Sequence, residues 1–503
     1  MSEIVDRATR ENQLHSKAGF GALRYDKLLL GIVLAGVFIR ILFVLIGAKV
    51  YYGPNQVFTN GDSSSYIMSF QNLLKHGAYT FDFLEPEASF GRLPGYPFFY
   101  GIHYLLFGQE YAMQAVAWTQ AAMDCVSIVL VFLIASRINA KNNYFAPYIA
   151  AAIYACYPFI IIWTTIIGTE LLATFLILVW LYTLLSENRS WPHFALLGIE
   201  VALLFYVREF LGIMLPITCL YLLFSKRENW RRAIRNCVFV GMGFGALYIW
   251  WPTRNYVFQH RLVLVKPERA GFANYKVDMT SFLDWVHSWS NESTYWLQQT
   301  LNNPHPNFPA TIFASSQEQE QAQKLVAQAS DCGSSFYLYK NLAKINYGDV
   351  QAMRQNQDYT VECNTEIQQG FDQLRLSYKR RNPIAYYTKV PLENLFKVFF
   401  KSGIQATNGE SKKQLLLATV FGYRSLLLIL GVIGLIVYRK AEGIQPIFTF
   451  WVFIVVFLCW YFRQLEMRYL LQADVLLILP AALLMGQWLS QYRGLTKLRK
   501  SVE

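Results

Sequence analysis

LLLGIVLAGVFIRILFVLIGA, residues Leu28 to Ala48, is the stretch that decides the fold class. Its only charged residue is Arg40. A bilayer core about 30 Å thick needs roughly 20 apolar residues in helical form, and this run has that length. It is too long for the apolar region of a secretory signal and lacks a convincing small-residue cleavage site, so it reads as a signal anchor. Outward from it lie two polar stretches, NGDSSSY at Asn60–Tyr66 and GRLPGYP at Gly91–Pro97. They belong to a loop too polar to cross lipid, and Asp62 within it is the candidate reacting carboxylate.

The remainder of the chain repeats this pattern. Of 503 residues, 54% are hydrophobic and 16% charged, against roughly 25% charged in soluble domains. The apolar residues come in long blocks without period-2 alternation, which excludes a β-barrel. The class is an all-α polytopic membrane protein. The net charge of +12 sits largely in short loops between blocks, where the positive-inside bias accounts for it; nucleic acid is not an expected partner. Five of the seven cysteines, Cys125, Cys156, Cys219, Cys237 and Cys459, fall in or at the edge of apolar blocks and read as packed thiols. Cys332 and Cys363 share a polar loop, where pairing and free thiols are both open.

In chain order, residues 1–27, with Arg7, Arg10, Lys17, Arg24 and Lys27, form a cytoplasmic tail. A transmembrane module spans 28–255 and includes a first exoplasmic loop, 49–110. Its later spans are read at 111–136, 144–162, 168–185 and 237–252, with Lys141, Arg189, Lys226 and Arg227 marking cytoplasmic loops. The block 194–224 is too long for one upright span. A hairpin of two short helices with Arg208 near the far surface keeps both flanks inside; one long tilted helix is the alternative. Residues 256–413 form a mainly helical exoplasmic domain, 414–490 carry three more spans, and 491–503 form a cytoplasmic tail. About ten transmembrane helices result.

This topology collects Asp62, Arg92, Glu170, Arg208, Arg254, Glu466 and Arg468 on or near one face. Ionisable groups near membrane depth cost free energy and face a cavity, a partner or a ligand. An acid among arginines suits an anionic ligand, since a guanidinium fork donates two parallel hydrogen bonds to phosphate. Each residue also has a structural reading. Asp62 or Glu170 could cap a helix, Arg92 could snorkel, Arg208 could pair with an acid, and Arg254 and Arg468 could anchor at the interface. Arg40, Asp124 and Asp474 are expected in structural pairs. Tyr96, Trp250 and Trp251 read as interfacial aromatics.

Taken together, these segments resemble the GT-C glycosyltransferases, in the branch that holds protein O-mannosyltransferases and lipid A aminoarabinose transferases. Gly61-Asp62 through Tyr66 looks like the acidic motif of that family's first loop. Arg92-Leu-Pro-Gly-Tyr96-Pro97 resembles the stretch that closes it. Thr169-Glu170-Leu171, Arg208, Trp251-Pro-Thr-Arg254-Asn255 and Glu466-Met-Arg468-Tyr469 follow in order. Two departures stand out: Asp62 is followed by Ser63 where the mannosyltransferases often carry Asp-Glu, and no proline follows soon after Tyr469.

The resemblance implies a polyprenyl-phosphate-linked sugar as donor, a lipid, glycan or protein hydroxyl as acceptor, and inversion at the anomeric carbon. It implies Asp62 as general base and Arg92, Arg208, Arg254 and Arg468 as holders of the donor phosphate. Tyr66, Tyr96, Glu170, Asn255, Glu466 and Tyr469 would line the sugar or acceptor site or support it. No cofactor and no metal is expected. The expected location is a bacterial inner membrane, with the site facing the periplasm. Two competing readings are a secondary transporter of an anionic substrate and an oligosaccharide ligase of the O-antigen type; neither inverted repeats nor matching broken helices are visible in support of the first.

Overall fold

The computed structural model describes residues 26–138, 143–187, 190–225, 229–266, 276–303, 305–342, 361–400, 411–463 and 465–502. Residues 1–25 and Lys141, Arg189, Lys226 and Arg227 lie outside them. The described residues are helical and contain no strand. Six helices are long and apolar enough to cross a membrane, and four shorter apolar helices lie at Ala146–Ala155, Thr169–Leu184, Trp191–Val207 and Glu209–Phe224.

The expected first span is the helix Lys27–Tyr52. Asp26 starts it by accepting the amides of Leu28 and Leu29 at 3.1 and 3.0 Å, which satisfies two of the donors that every helix N-terminus leaves open. Only 17% of its apolar window is buried, against 89% for the helix beginning at Met467. The first helix is therefore the rim of the bundle and the last its axis. That last helix continues through the expected tail, from Met467 to Val502.

Three breaks shape the bundle. Residues Gly95–Ile138 are nominally one helix of 44 residues, but Gly108 within it adopts φ 74° and ψ 174°. An unbroken helix of that length would run about 66 Å, twice a bilayer core. The left-handed φ, open to glycine at no steric cost, divides it. Arg208 is extended (φ −145°, ψ 117°) and ends the helix Trp191–Val207; a 3₁₀ turn, Glu209–Ile213, leads into Met214–Phe224. The 194–224 block is thus two helices broken at Arg208 rather than one continuous helix. Trp191–Val207 packs against Trp230–Tyr248 with almost no space between backbones: a Cβ on Gly198 would stand 2.0 Å from the carbonyl oxygen of Val240. Small residues permit this approach between membrane helices.

The region expected to be exoplasmic carries its own core, in which Phe282, Trp285, Val326, Ile367 and Phe371 pack separately from the bundle. Cys332, at the end of Ser316–Cys332, is bonded to Cys363, near the start of Val361–Arg381. The alternative of two free thiols is thereby closed. The other five cysteines form no disulfide among the described residues.

Two buried pairs hold the bundle. Arg40 donates to Asp124 at 2.8 Å and to the Ala155 carbonyl at 2.5 Å, while Tyr154 donates its hydroxyl to Asp124 at 2.6 Å. Arg424 forks onto Asp474 at 2.7 and 3.0 Å, and Tyr157 donates to Asp474 at 3.1 Å. The expected structural pairing of Arg40, Asp124 and Asp474 is present, with Arg424 as the partner that sequence reading did not name. Tyr96 and Trp251 are corrections. Both were expected at the interface and both are wholly buried: Tyr96 satisfies its hydroxyl on Gln120 at 2.9 Å, and Trp251 packs edge-on to Tyr79. Trp250 is 47% exposed and remains an outer aromatic.

Candidate active site

The first loop is pinned before Asp62 is presented. Asn60 Oδ1 accepts the amides of Asp62 and Ser63 at 3.0 and 3.2 Å, forming an Asx turn. Ser63 donates its hydroxyl to the Ile167 carbonyl at 2.6 Å, and the Ile167 amide donates to Phe58. These bonds tie the loop to the segment preceding the helix Thr169–Leu184. Asp62 occupies the N-cap position of the helix Ser63–His76, yet its side chain makes no capping bond. Asn60 performs the turn's local bonding, and the Asp62 carboxylate faces elsewhere.

It faces two arginines. Arg92 Nη2 donates to Asp62 Oδ1 at 2.7 Å, and Arg468 Nη1 donates to Asp62 Oδ2. Arg92 also donates from Nε to Ser65 at 2.7 Å and from Nη1 to the Tyr66 hydroxyl at 3.0 Å, with its guanidinium 4.2 Å from the Tyr66 ring centre. It is 8% exposed, so it is an interior residue rather than a surface snorkeller. Arg468 donates from Nε to Glu466 at 2.5 Å and lies 5.2 Å from the Tyr469 ring centre. Burial pushes the Asp62 carboxyl up, but the two guanidinium groups outweigh it and hold the group well below the usual carboxylate range.

Behind this pair stands a second. Arg208 donates to Glu170, to Thr169 Oγ1 at 2.6 Å and to the Arg468 carbonyl at 3.2 Å. Glu170 lies in the first turn of Thr169–Leu184, and Gln472 donates to its carbonyl at 3.2 Å. Asp62, Tyr66, Arg92, Glu170, Arg208, Glu466, Arg468 and Tyr469 therefore form one connected group. Tyr96 lies beneath it, its ring 5.1 Å from that of Tyr66.

Arg254 and Asn255 stand apart from the carboxylate. Arg254 donates to the carbonyls of Ser89 at 2.9 Å and Tyr79 at 2.8 Å, and to Asn255 Oδ1 at 2.9 Å. It is 8% exposed and fastens the first loop. Asn255 donates to the Val263 carbonyl at 2.9 Å. Tyr79 links the two groups, since its hydroxyl donates to the Arg92 carbonyl at 3.0 Å.

Sequence reading missed the clamps that close the same face. Lys266 pairs with Glu209 at 3.0 Å, Arg261 with Glu87 at 2.5 Å, and Lys276 with Glu85. Glu209 directly follows Arg208 and was the one available signal; its partner is 57 positions away and shares no motif with it. Among the described residues, no three His, Cys, Asp or Glu side chains are grouped to hold a metal ion.

Residues 91–254 match the family model described as dolichyl-phosphate-mannose-protein mannosyltransferase. Over that third of its length the chain resembles the family. The match includes Arg92, Glu170, Arg208 and Arg254, and it supports a glycosyltransferase-type enzyme in a multi-pass membrane protein. Asp62 and Arg468 lie on either side of the matched residues. Among solved structures, the chain is similar to the archaeal oligosaccharyltransferase AglB from Archaeoglobus fulgidus, in complex with an inhibitory peptide and a dolichol-phosphate. The identity is 14% and the TM-score 0.48, over 94% of this chain and 52% of that one. The Archaeoglobus fulgidus oligosaccharyltransferase in complex with Zn and sulfate gives 14% and 0.45, over 93% and 49%. The same enzyme tethered to an acceptor peptide containing the NVT sequon gives 15% and 0.46, over 94% and 51%. The chain thus spans about half the length of these proteins. No curated protein matches it.

Proposed function

We propose that this chain transfers a sugar from a polyprenyl-phosphate carrier to an acceptor hydroxyl, with inversion, at the exoplasmic face of a bacterial plasma membrane. One observation carries the reading. A single carboxylate, 30% exposed, is shared between guanidinium groups on Arg92 and Arg468, which lie 30 and 406 residues away in sequence. An anionic donor can compete with Asp62 for those guanidinium groups, because exchanging partners near water costs little.

The acceptor oxygen attacks the anomeric carbon as the bond from that carbon to the phosphate oxygen breaks. The electron pair of that bond goes to the phosphate, which changes from a singly charged diester to a monoester with a second pKa near 6. The acceptor proton goes to Asp62. A base so placed contributes about 10²–10⁴-fold. Arg92 and Arg468 stabilise the charge that grows on phosphate, and each contact they shift from Asp62 to phosphate makes Asp62 a stronger base. Arg208 holds the Arg468 backbone in place, Glu170 holds Arg208, and Arg254 fastens the loop that carries Arg92. Tyr66 and Tyr469 flank the guanidinium groups.

Purified protein in lipid nanodiscs, offered a panel of polyprenyl-phosphate-linked hexoses and pentoses with envelope glycans and lipids as acceptors, tests the proposal. Mass spectrometry should detect free polyprenyl phosphate together with a glycosylated acceptor, and Asp62→Asn should lower both about 10²–10⁴-fold. Unchanged turnover in Asp62→Asn removes Asp62 as the base. Movement of substrate across vesicles without a covalent product favours a transporter.

A further inference from the structure

The turn that delivers Arg468 to Asp62 meets the exoplasmic helices at its other end. A cavity of about 350 Å³ lies there, lined by Thr280, Asp284, Arg375, Tyr386, Tyr461 and Arg463 among others. Its walls come from the helices Val277–Trp289 and Val361–Arg381, the turn Ala385–Lys389 and the end of the span Ile444–Tyr461.

Arg463 is unusual in two respects. Its backbone lies at φ 55°, a left-handed conformation that a residue with a long side chain adopts only when its surroundings impose it. Its side chain is buried, donating from Nε to the His287 carbonyl at 2.9 Å and from Nη1 to the Tyr386 carbonyl at 3.0 Å. The guanidinium lies 4.2 Å from the Tyr386 ring centre. Nη2 is buried and has no hydrogen-bond partner among the described residues. A buried guanidinium nitrogen without an acceptor is costly, and an anion entering the cavity would relieve that cost. Arg375 supplies a second guanidinium, engaged with Asp284 at 3.6 Å and Asp372 at 3.0 Å. Rings of Tyr386 and Tyr461 and the hydroxyl of Thr280 complete a wall of guanidinium forks, aromatic faces and polar atoms. The volume is near the lower end of ligand sites and suits one compact group.

We propose that this cavity is an acceptor subsite that takes an anionic sugar, phosphorylated or carboxylated, of the molecule that receives the transferred residue. The proposal rests on the transferase reading above. Arg463 and Arg468 are five positions apart, and five residues reach at most about 18 Å. An acceptor of a few linked sugars can span that distance, so one unit held at Arg463 leaves another free to present its hydroxyl to Asp62.

The test uses full-length protein in nanodiscs of zwitterionic lipid, with a hexose 6-phosphate, a hexuronic acid and the neutral hexose as probes. Wild type should bind both charged sugars at least tenfold more tightly than the neutral one. Arg463→Gln and Arg375→Gln should each lose tenfold or more, and Asp62→Asn should bind as wild type does. If Arg463→Gln does not fold, Arg375→Gln carries the test, because that side chain is 33% exposed. Equal binding of neutral and charged sugars, or equal binding by wild type and both arginine variants, overturns the proposal. Loss of sugar binding on adding anionic lipid assigns the cavity to a lipid headgroup instead and also overturns it. In turnover, Arg375→Gln should raise the acceptor KM and leave the donor KM unchanged. If transfer proceeds but charged sugars do not bind, only the subsite falls. If they bind at Arg463 but no transfer is ever detected, the transferase reading falls and takes the acceptor role with it, leaving only an anionic-sugar site.

Discussion

At Arg40–Asp124 and Arg424–Asp474 the four side chains are between 0% and 4% exposed, whereas at Asp62 the carboxylate is 30% exposed and its partner Arg468 25%. The chemical partners are the same in both places. The surroundings differ. In the buried pairs a tyrosine hydroxyl fills the carboxylate and backbone carbonyls fill the guanidinium, at Ala155 for one and at Val398 for the other. Nothing can be exchanged there without stranding a charge in the membrane interior. At Asp62 one carboxylate divides its two oxygens between arginines that also hold Ser65, Tyr66 and Glu466. Such contacts can be redistributed when an anion arrives. A closed pair holds helices together; a shared, half-open carboxylate suits chemistry.

Substitution should separate the two kinds of pair. The largest effect expected is on turnover in Asp62→Asn: kcat/KM falls about 10²–10⁴-fold, while the protein still folds and its melting temperature at neutral pH drops only modestly. The converse holds for Arg424→Ala, which leaves Asp474 uncompensated. It should destabilise the protein by about 3–5 kcal/mol, read as a lower melting temperature and folded yield. Replacing both Arg424 and Asp474 with apolar residues of similar volume should restore most of that loss. Restoration of neither stability nor yield would mean that the pair does more than hold helices together.

Reduction of Cys332–Cys363, or Cys332→Ser, frees a loop closed across 31 residues and should cost about 2–4 kcal/mol. Thermal unfolding with and without reductant would read it, and an unchanged first transition would place that region's stability elsewhere.

The smallest effect is on pH dependence. Arg92 and Arg468 keep Asp62 ionised to lower pH than an ordinary carboxylate. Removing one of them in Arg468→Ala raises that pKa, so the acid limb of log kcat/KM should move to higher pH. The depressed pKa also stabilises the folded state, in full above the unfolded carboxyl value of about 3.9. That contribution is lost as pH falls through the lower folded value. Melting curves of wild type and Asp62→Asn should therefore converge in acid. An acid limb that does not move would separate Asp62 from the titration seen in turnover.

The apolar blocks determined by themselves that this is an all-α membrane protein, and roughly where each span lies. Crossing lipid requires every backbone polar group to be satisfied within its own segment, which makes spans a local property of the chain. The split at Arg208 was legible for the same reason, because a 31-residue block cannot stand upright in 30 Å. The side chains collected on one face could be named from the alternation of spans. Their partners could not. That Asp62 meets Arg468 rather than capping its own helix depends on Asn60 taking over the turn, and on the last helix running down the axis of the bundle. Likewise, Tyr96 and Trp251 carry the composition of interfacial aromatics, and only the packing of Gln120 and Tyr79 against them puts them inside. Contacts between residues hundreds of positions apart are set by which helices share an interface, and no local pattern encodes that.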